Sequence, residues 1–282
     1  MLIIKNIAEI RNELSTLKAN QQSIALVPTM GCLHEGHLSL VKKAREVADK
    51  VVVSIFVNRQ QFNDSNDFQK YPRQVDLDCR KLEEQGVNIV FVPDDKEIYK
   101  NKPLINIDIP NLTNCLCGVT RKGHFNGVCL IIAKLFNIIQ PNFAIFGEKD
   151  FQQLQIIKRL TSDLNYPIKI IGFPTQRQED GLALSSRNIL LSDEDKKIAI
   201  KIQQILREIR SKLVNNFNLE LAEVLSDAKN HFLKNGFRKI DYLEIRQEED
   251  LQLVVKINQS TKSRIFFAGF VGDVRLIDNL LI

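Results

Sequence analysis

Apolar runs of strand length alternate, through residue 172, with stretches in which apolar residues recur at helical spacing. Val51–Val57 is a run of the kind expected for a strand buried on both faces. Pro72–Gln85 predicts a helix with proline in its first turn and Gly86 at its end. This β-α-β-α order predicts a parallel sheet with right-handed crossovers. The N-terminal segment MLIIKNIAEIRNEL predicts a strand followed by a helix. The other predicted strands are Ile24–Val27, Asn88–Val92, Phe143–Phe146 and Ile168–Gly172, and the other predicted helices are Gly36–Asp49, Phe125–Gln140 and Lys149–Leu164.

The pattern changes after about residue 180, where two helices and a few strands replace the regular alternation. Ser192 followed by Asp195 has the spacing of a capping box and predicts a helix that runs to about Asn215. Further predicted elements are a helix at about Leu219–Asn235 and strands at Asp241–Arg246 and Arg264–Phe270. The expected fold is α/β, with a Rossmann-like parallel sheet flanked by helices over residues 1–178. A smaller C-terminal α+β domain is expected over residues 179–282.

Charge and cysteine content narrow the class of protein. The formal charge of +5 over 282 residues is too dilute to indicate nucleic-acid binding, and the chain has no tryptophan. The five cysteines are odd in number and form no CxxC pair, which predicts free thiols in a reducing compartment. The N-terminus lacks a signal-peptide layout, and the most apolar stretches fall short of the roughly 20 residues of a membrane span. We therefore expect a cytoplasmic protein.

Residues suited to binding and catalysis are concentrated in Pro28–His37, where a predicted buried strand turns into a helix at the carboxyl edge of the sheet. Open α/β sheets bind ligands at this edge. The N–H groups and dipole of a helix start favour phosphate, and His34 and His37, spaced i and i+3, can reach the same anion. Gly36 between them leaves room for a flat base against the backbone. Zinc binding and helix capping are alternative roles for the histidines, although no third zinc ligand follows at standard spacing.

Two later loops carry polar groups of complementary chemistry. Gly147–Asp150 opens a predicted helix, and Lys149 places a compact positive charge there that suits a phosphate. Ser185–Arg187 joins hydroxyl donors to a guanidinium that can bind a phosphate with two hydrogen bonds. The amides of Gln152 and Gln153 can donate and accept, which suits a substrate with hydroxyls and a carboxylate. Helix-start charges and a surface turn are the structural alternatives for these loops.

The segment HEGH at 34–37 resembles the HxGH signature of the HIGH-type nucleotidyltransferase superfamily, whose members bind ATP and attack its α-phosphate. A longer series of motifs, in matching order over roughly residues 24–190, is similar to the pantoate–β-alanine ligase family. The series consists of PTMGCLHEGHLSL at 28–40, SIFVNRQQF at 54–62, YPR at 71–73, KGHFNGV at 122–128, KLFNIIQP at 134–141, FGEKDFQQL at 146–154 and DGLALSSRN at 180–188.

The resemblance implies a two-step ligation in which ATP activates pantoate as an adenylate and β-alanine then displaces AMP. It implies catalytic roles for His37, His34 and Lys149, which would stabilise charge on the phosphoryl oxygens. The implied ATP-binding residues are Met30, Gly31, Cys32, Leu33, His34, Glu35, Gly36, His37, Gly147, Glu148, Lys149, Asp150, Gln176, Leu184, Ser185, Ser186 and Arg187.

By the same resemblance, Gln61 and Gln153 bind pantoate, and β-alanine is bound by Gln61, Asn58 and His124. For both His124 and the nearby Arg121, a structural role is the alternative to direct contact with substrate. The sequence departs from the family pattern at Arg59, where proline is usual, and at Gln178, which replaces a glutamate often found there. An arginine at 59 frees the backbone and adds charge, which bears on the pose of Gln61.

The resemblance also implies Mg²⁺ bridging the ATP phosphates, a homodimer, and a C-terminal domain that acts as a lid over the labile adenylate. No protein metal ligand is expected from the sequence. Asp76 and Asp78 are interpreted as a solvated helix face, with a role near the amine or Mg²⁺ as the alternative.

Two rival functions are also compatible with the sequence. A relative in the same superfamily could transfer a nucleotide to another phosphate or carboxylate substrate. A catalytically silent nucleic-acid-binding protein is the rival from a different class, but no basic stripe interleaved with aromatic residues supports it.

Overall fold

The computed structural model describes residues 1–258 and 260–282. The strands of the described chain are β1 Leu2–Ile4, β2 Ile24–Thr29, β3 Lys50–Ile55, β4 Ile89–Phe91, β5 Phe143–Gly147, β6 Lys169–Phe173, β7 Lys239–Gln247, β8 Ser263–Val271 and β9 Val274–Leu281. The α-helices are α1 Ile7–Ala19, α2 Glu35–Val47, α3 Ser65–Lys70, α4 Val75–Glu84, α5 Asp95–Ile98, α6 Pro110–Thr113, α7 Cys117–Thr120, α8 His124–Ile139, α9 Phe151–Asp163, α10 Asp193–Ala199, α11 Lys201–Asn215 and α12 Leu221–Lys234. Short 3₁₀ turns lie at Arg59–Gln61, Glu148–Asp150 and Ser186–Leu190.

The chain packs into two compact units. The first unit consists of Met1–Ile109, Arg121–Glu148 and Ile156–Pro174, and the second consists of Pro110–Thr120, Lys149–Gln155 and Thr175–Ile282. The division into functional domains at 178/179 stays a prediction.

The first unit is built on a six-stranded sheet of order β1-β4-β3-β2-β5-β6 in which every pairing is parallel. The central strand β2 pairs with β3 through Leu26↔Val52 and with β5 through Leu26↔Ala144. After β2 the chain continues to β3 on one side of it, and β5 later fills the other side. This reversal creates the switch point at which parallel α/β sheets bind ligands beyond their carboxyl ends. The predicted α/β class is confirmed.

Helix α2 packs on this sheet through the apolar face that its sequence predicts. Leu38, Val41 and Ala44 are buried and join a core cluster with β2 and β3 residues such as Val27 and Val53. Burying each large aliphatic side chain contributes roughly 1.5–3 kcal/mol, so the start of α2 is fixed firmly beside the end of β2.

The second unit contains an antiparallel sheet of order β7-β8-β9 covered by helices. Phe232 of α12 stacks on Phe267 of β8 with ring centroids 4.2 Å apart, and Phe237 meets both rings edge-on. Helix α11 adds Leu206 and Ile209 to the same core. The predicted α+β character of the C-terminal part is confirmed, but strand β9 was not predicted.

Several observed elements differ from the predicted ones. Helix α4 begins at Val75 rather than Pro72, and Arg73 instead donates to the carbonyls of Tyr71 and Phe68. The long helix predicted from Ser192 is divided into α10 and α11 at Ile200, although the Ser192 hydroxyl caps it as expected. The short helices α3, α5, α6 and α7 were not predicted.

All five cysteines are free and buried, as the sequence predicts for free thiols. Within residues 1–258 and 260–282, no helix combines the length and hydropathy that crossing a bilayer requires.

Candidate active site

The loop between β2 and α2 contains two consecutive residues with a left-handed backbone conformation. Gly31 and Cys32 are both left-handed, with φ of +81° and +54°. A Cβ on Gly31 would lie 3.0 Å from the Asp78 Oδ2 and 3.1 Å from the Ile55 Cγ2, so a side chain would fit tightly there, and the left-handed dihedral angle favours glycine in any case. At Cys32 the same conformation is strained, since cysteine has a side chain.

The carboxylate of Asp78 in α4 holds this loop. Its side chain is fully buried and accepts hydrogen bonds from the N–H of Cys32 at 2.8 Å and of Leu33 at 2.7 Å. One turn later, the Lys81 Nζ donates to the Leu33 carbonyl at 2.7 Å. The prediction of a solvated helix face is therefore correct for Asp76, which is exposed, and wrong for Asp78. Helix α4 fixes the chain immediately before His34.

His34 and His37 form a reciprocal capping box at the start of α2. The His34 Nδ1 accepts from the Gly36 N–H at 3.1 Å, and the His37 Nδ1 lies 3.4 Å from the His34 backbone N. The two rings are 4.1 Å apart between centroids. Since an Nδ1 that accepts an N–H carries no proton, the ring proton of each neutral imidazole resides on Nε2. The Nδ1 atoms therefore have the helix-capping role that was predicted as an alternative, and each Nε2–H is a hydrogen-bond donor.

No cluster of three or more His, Cys, Asp or Glu with the arrangement of a metal site occurs in the described part of the chain. The Nδ1 atoms of both histidines are engaged with backbone N–H groups. Zinc ligation through these two nitrogens would therefore break the start of α2.

The side-chain amide of Asn58, which follows β3, is buried, and both its nitrogen and its oxygen are hydrogen-bonded. Its Nδ2 donates to the Gln61 Oε1 and to the Gly127 carbonyl, both at 3.1 Å. Its Oδ1 accepts from the Tyr99 hydroxyl at 2.9 Å and from the Gln60 N–H at 3.3 Å. Burial raises the pKa of Tyr99, with Asp95 adding to the effect, so the phenol stays protonated and donates. These contacts orient Gln61, whose Nε2 reaches the Met30 Sδ at 3.0 Å.

His124 at the start of α8 holds the same turn from the other side. Its Nδ1 lies 2.8 Å from the Gln61 carbonyl, and its Nε2 lies 3.0 Å from the Arg121 Nη1. Because a guanidinium can only donate, Nε2 is the acceptor and Nδ1–H donates to Gln61. A Cβ on Gly127 would lie 2.3 Å from the Gln60 carbonyl oxygen, so glycine permits α8 to cross this close to the 59–61 turn. Contact of His124 and Asn58 with β-alanine stays a prediction, whereas their hydrogen bonds to Gln61 are part of the fold.

Lys149 lies in the 3₁₀ turn between β5 and α9, not in the α-helix that was predicted to begin there. Its Nζ is 3.8 Å from the Asp150 Oδ2, and its side chain is 19% exposed. In the second unit, the Asn279 Nδ2 donates to the Lys149 carbonyl at 2.9 Å. A Cβ added to Gly147, at the end of β5, would meet no atom within 4 Å, so open space adjoins this backbone.

The neighbouring glutamines of α9 have different surroundings. Gln152 is buried, and its Nε2 donates to the carbonyls of Leu112 and Cys115 at 2.8 Å. Its Oε1 accepts the Cys117 N–H at 3.0 Å, so the whole amide holds the 112–117 segment. Gln153 is half-buried and remains the predicted pantoate ligand.

The segment from Gln176 to Arg187 is a folded loop rather than a loose surface turn. The Leu184 N–H donates to the Gln176 carbonyl at 2.9 Å, which places these two predicted ATP-binding residues side by side. The Ser185 hydroxyl caps the following 3₁₀ turn by accepting the Arg187 N–H at 3.3 Å. Arg177 pairs with Asp278 through two hydrogen bonds of 2.7 and 2.8 Å.

The residues that hold these loops were not predicted as site residues. Asp78, Lys81, Tyr99, Asp278 and Asn279 all bond to segments that carry predicted site residues. The adjacent Asp-Asn pair inside the otherwise apolar LIDNLL stretch was a usable signal, because burying such groups is unfavourable unless they are hydrogen-bonded. Asp78 gave no such signal, since an acid in the first turn of a helix is also what the helix dipole favours.

A parallel α/β sheet with a phosphate-suited helix start at its carboxyl edge defines the class of nucleotide-using α/β enzymes. Within this class, the family described as Pantoate-beta-alanine ligase matches residues 2–281. The chain belongs to this family.

Relatives and solved structures agree over nearly the whole chain. The chain is 45% identical over 268 residues to a protein of Acinetobacter baumannii named pantothenate synthetase, covering 95% of this chain and 93% of the relative. A crystal structure of pantothenate synthetase from Thermus thermophilus is 38% identical, with a TM-score of 0.90 and 99% coverage of both chains. A pantoate-beta-alanine ligase from Francisella tularensis, complexed with beta-gamma ATP and beta-alanine, is 41% identical, with a TM-score of 0.85 and coverage of 100% of this chain and 97% of that one.

Proposed function

We propose that the protein condenses pantoate with β-alanine at the expense of ATP, giving pantothenate, AMP and pyrophosphate through a pantoyl-adenylate intermediate. The observation that carries the proposal is the capping-box pair, which makes the Nε2–H of His34 and of His37 donors at a helix start beyond the central strand. Membership of the pantoate–β-alanine ligase family supports the identity of the substrates.

In the first step, a pantoate carboxylate oxygen attacks the α-phosphorus of ATP, and the bond to the bridging oxygen breaks to release pyrophosphate. The negative charge that develops on the phosphoryl oxygens needs donors that are already oriented. We assign His34, His37 and Lys149 to this charge. A single preorganised donor of this kind is worth about 2.7–4 kcal/mol of barrier lowering. Alignment of the two reactants can add on the order of 7–11 kcal/mol.

In the second step, the β-alanine amine attacks the acyl carbon, the bond from that carbon to the AMP oxygen breaks, and the amine loses a proton. No covalent enzyme nucleophile is needed, since adenylation has already supplied the leaving group. Gln61, held by Asn58 and by His124, orients pantoate in this proposal, and Gln153 provides a second amide. The proposed ATP contacts are those of the loops at 30–37, 147–150 and 184–187, with Gln176.

Mg²⁺ belongs to the proposal as a partner of the nucleotide. It takes oxygen ligands and is held in nucleotide enzymes by one or two carboxylates together with the phosphates. Asp150, whose side chain is half exposed in the 148–150 turn, would supply a carboxylate of this type. When bound, the ion would neutralise part of the triphosphate charge.

A cytoplasmic location and a homodimer are also part of the proposal. Five buried free thiols suit a reducing compartment, and the family resemblance favours a dimer. The lid role of residues 179–282 stays a prediction.

The decisive assay incubates the purified chain with ATP, Mg²⁺, pantoate and β-alanine and measures AMP and pantothenate. Exchange of labelled pyrophosphate into ATP, with and without pantoate, isolates the first step. We expect exchange that depends on pantoate and needs no β-alanine. Exchange that is indifferent to pantoate, but supported by another carboxylate or phosphate acceptor, would favour a different nucleotidyltransferase of the superfamily.

A further inference from the structure

The C-terminal strand β9 carries two adjacent polar residues that are buried. Asp278 is 4% exposed and Asn279 is 3% exposed, and they are adjacent in the chain. Burying a carboxylate and an amide is unfavourable unless each finds hydrogen-bond partners. Their partners therefore indicate what the strand holds in place.

Asp278 anchors the base of the loop that carries Ser185 and Arg187. Its two carboxylate oxygens accept from Arg177 Nη1 at 2.7 Å and Nη2 at 2.8 Å. Arg177 also donates to the Gly181 carbonyl at 3.2 Å and forms a backbone bridge to Ala183. The bidentate pair thus fixes both sides of the turn that leads into the 184–187 segment.

Asn279 anchors the backbone of Lys149. Its Nδ2 donates to the Lys149 carbonyl at 2.9 Å, while its Oδ1 accepts from Arg264 Nη1 at 2.5 Å. Its own N–H donates to the Asp278 Oδ1 at 2.7 Å, which links the two anchors directly. Arg264 is held in turn by Glu248 at 2.7 Å and lies 3.9 Å over the ring of Phe151.

We propose that Asp278 and Asn279 are positioning residues for phosphate activation, with Asn279 acting through Lys149 and Asp278 acting through the 184–187 loop. The inference rests on the proposed function, since it concerns two segments that are assigned to ATP. Neither side chain contacts a substrate in this proposal. Each holds the backbone from which an ATP-binding side chain extends.

The substitution Asn279→Asp tests the Lys149 arm with almost no change in volume. Aspartate keeps an oxygen acceptor for Arg264 but turns the Nδ2 donor into an oxygen that faces the Lys149 carbonyl. Because displacement of a catalytic group by about 1 Å can cost about 10²-fold in rate, we expect pantoate-dependent pyrophosphate exchange to fall by about that factor. The KM for pantoate should stay near the wild-type value.

A double-mutant cycle separates positioning from general structure. In a Lys149→Ala background, Asn279→Asp should change the residual exchange rate by less than about twofold, since the group it orients is already gone. Two rate losses that simply multiply would overturn the proposal. If Asn279→Asp melts below the assay temperature, Asn279→Ala carries the same cycle without introducing a charge.

The control Ile205→Val shortens a buried apolar side chain in the core of the same unit and removes none of the hydrogen bonds made by these anchors. It should lower the melting temperature and leave kcat unchanged. The substitution Asp278→Asn tests the arm that holds the 184–187 loop. It should raise the KM for ATP about tenfold and leave the KM for pantoate unchanged, because it weakens the pair with Arg177 while Asn279 keeps its own bond to the Lys149 carbonyl. Wild-type kinetics in Asn279→Asp would refute the inference while leaving the proposed function standing. Absence of pantoate-dependent exchange in the wild-type protein would instead refute the proposed function.

Discussion

Replacing Asp78 by asparagine would perturb the candidate site from outside it. The carboxylate accepts two backbone N–H groups, from Cys32 and Leu33, at 2.8 and 2.7 Å in a fully buried position. A hydrogen bond to a charged group contributes about 1.5–3 kcal/mol, and a buried donor left without an acceptor costs about 1–3 kcal/mol. Asparagine keeps one oxygen acceptor and turns an NH₂ group toward the second N–H.

The loss of a hydrogen bond to a charged group and the unpaired N–H both destabilise the Asp78→Asn variant. This loss of stability is partly offset because the variant no longer buries a charge. We therefore expect the free energy of unfolding to fall by about 2–4 kcal/mol. The activity should fall as well, since Cys32 and Leu33 directly precede His34, and a misplacement of about 1 Å at the imidazoles costs about 10²-fold in rate. Urea unfolding measures the first quantity, and pantoate-dependent pyrophosphate exchange measures the second.

Asp76→Asn is the matched control. It makes the same chemical change in the same helical turn, but Asp76 is exposed, so both stability and exchange should remain near wild type. Equal behaviour of the two variants would refute the argument that α4 positions the histidine loop. A loss of stability in Asp78→Asn with unchanged kcat would restrict Asp78 to a structural role.

Three further substitutions test single side chains. His34→Asn should retain the helix cap, since asparagine is a good N-cap residue, but it should lower turnover by about 10²–10³-fold because the Nε2 donor is lost. His34→Ala should show the same loss of turnover and also lose about 0.5–2 kcal/mol of stability. Turnover and thermal unfolding of both variants test these expectations. Gln153→Ala should raise the pantoate KM, and an unchanged value would remove it from that role. Tyr99→Phe should lower the free energy of unfolding by about 1–2 kcal/mol because Asn58 loses a donor, and a raised β-alanine KM with an unchanged ATP KM would place the effect at Gln61.

The parallel sheet could be predicted because its strands are buried on both faces. Val51–Val57 contains most of β3, and the helix predicted after Gly36 is α2, since tertiary packing and local pattern agree there. Ser192 caps α10 as its sequence indicates, because a cap depends only on residues within one turn.

Strand β9 could not be predicted because its local pattern and its tertiary packing do not agree. Its sequence VRLIDNLL places Asp278 and Asn279 side by side, which breaks the apolar alternation that marks a half-buried strand. Their partners Arg177, Lys149 and Arg264 are between 15 and 130 residues away in the chain. Hydrogen bonds at such separations leave no local pattern that identifies their partners. The adjacent Asp278 and Asn279 could have indicated that buried partners exist, but not that these partners are Arg177, Lys149 and Arg264.

The left-handed conformation of Cys32 links the strain of the loop to the chemistry proposed for it. A non-glycine residue there costs on the order of 1–3 kcal/mol and persists only where its surroundings hold it. Asp78 provides that constraint, because it binds the N–H of Cys32 itself and of the next residue. Since His34 then begins α2 with its Nδ1 already committed to the cap, the strained turn determines both the direction of the helix start and the ring nitrogen that donates. A relaxed loop would lose both at once, which is why a buried charge and a strained cysteine occur together at this point of the chain.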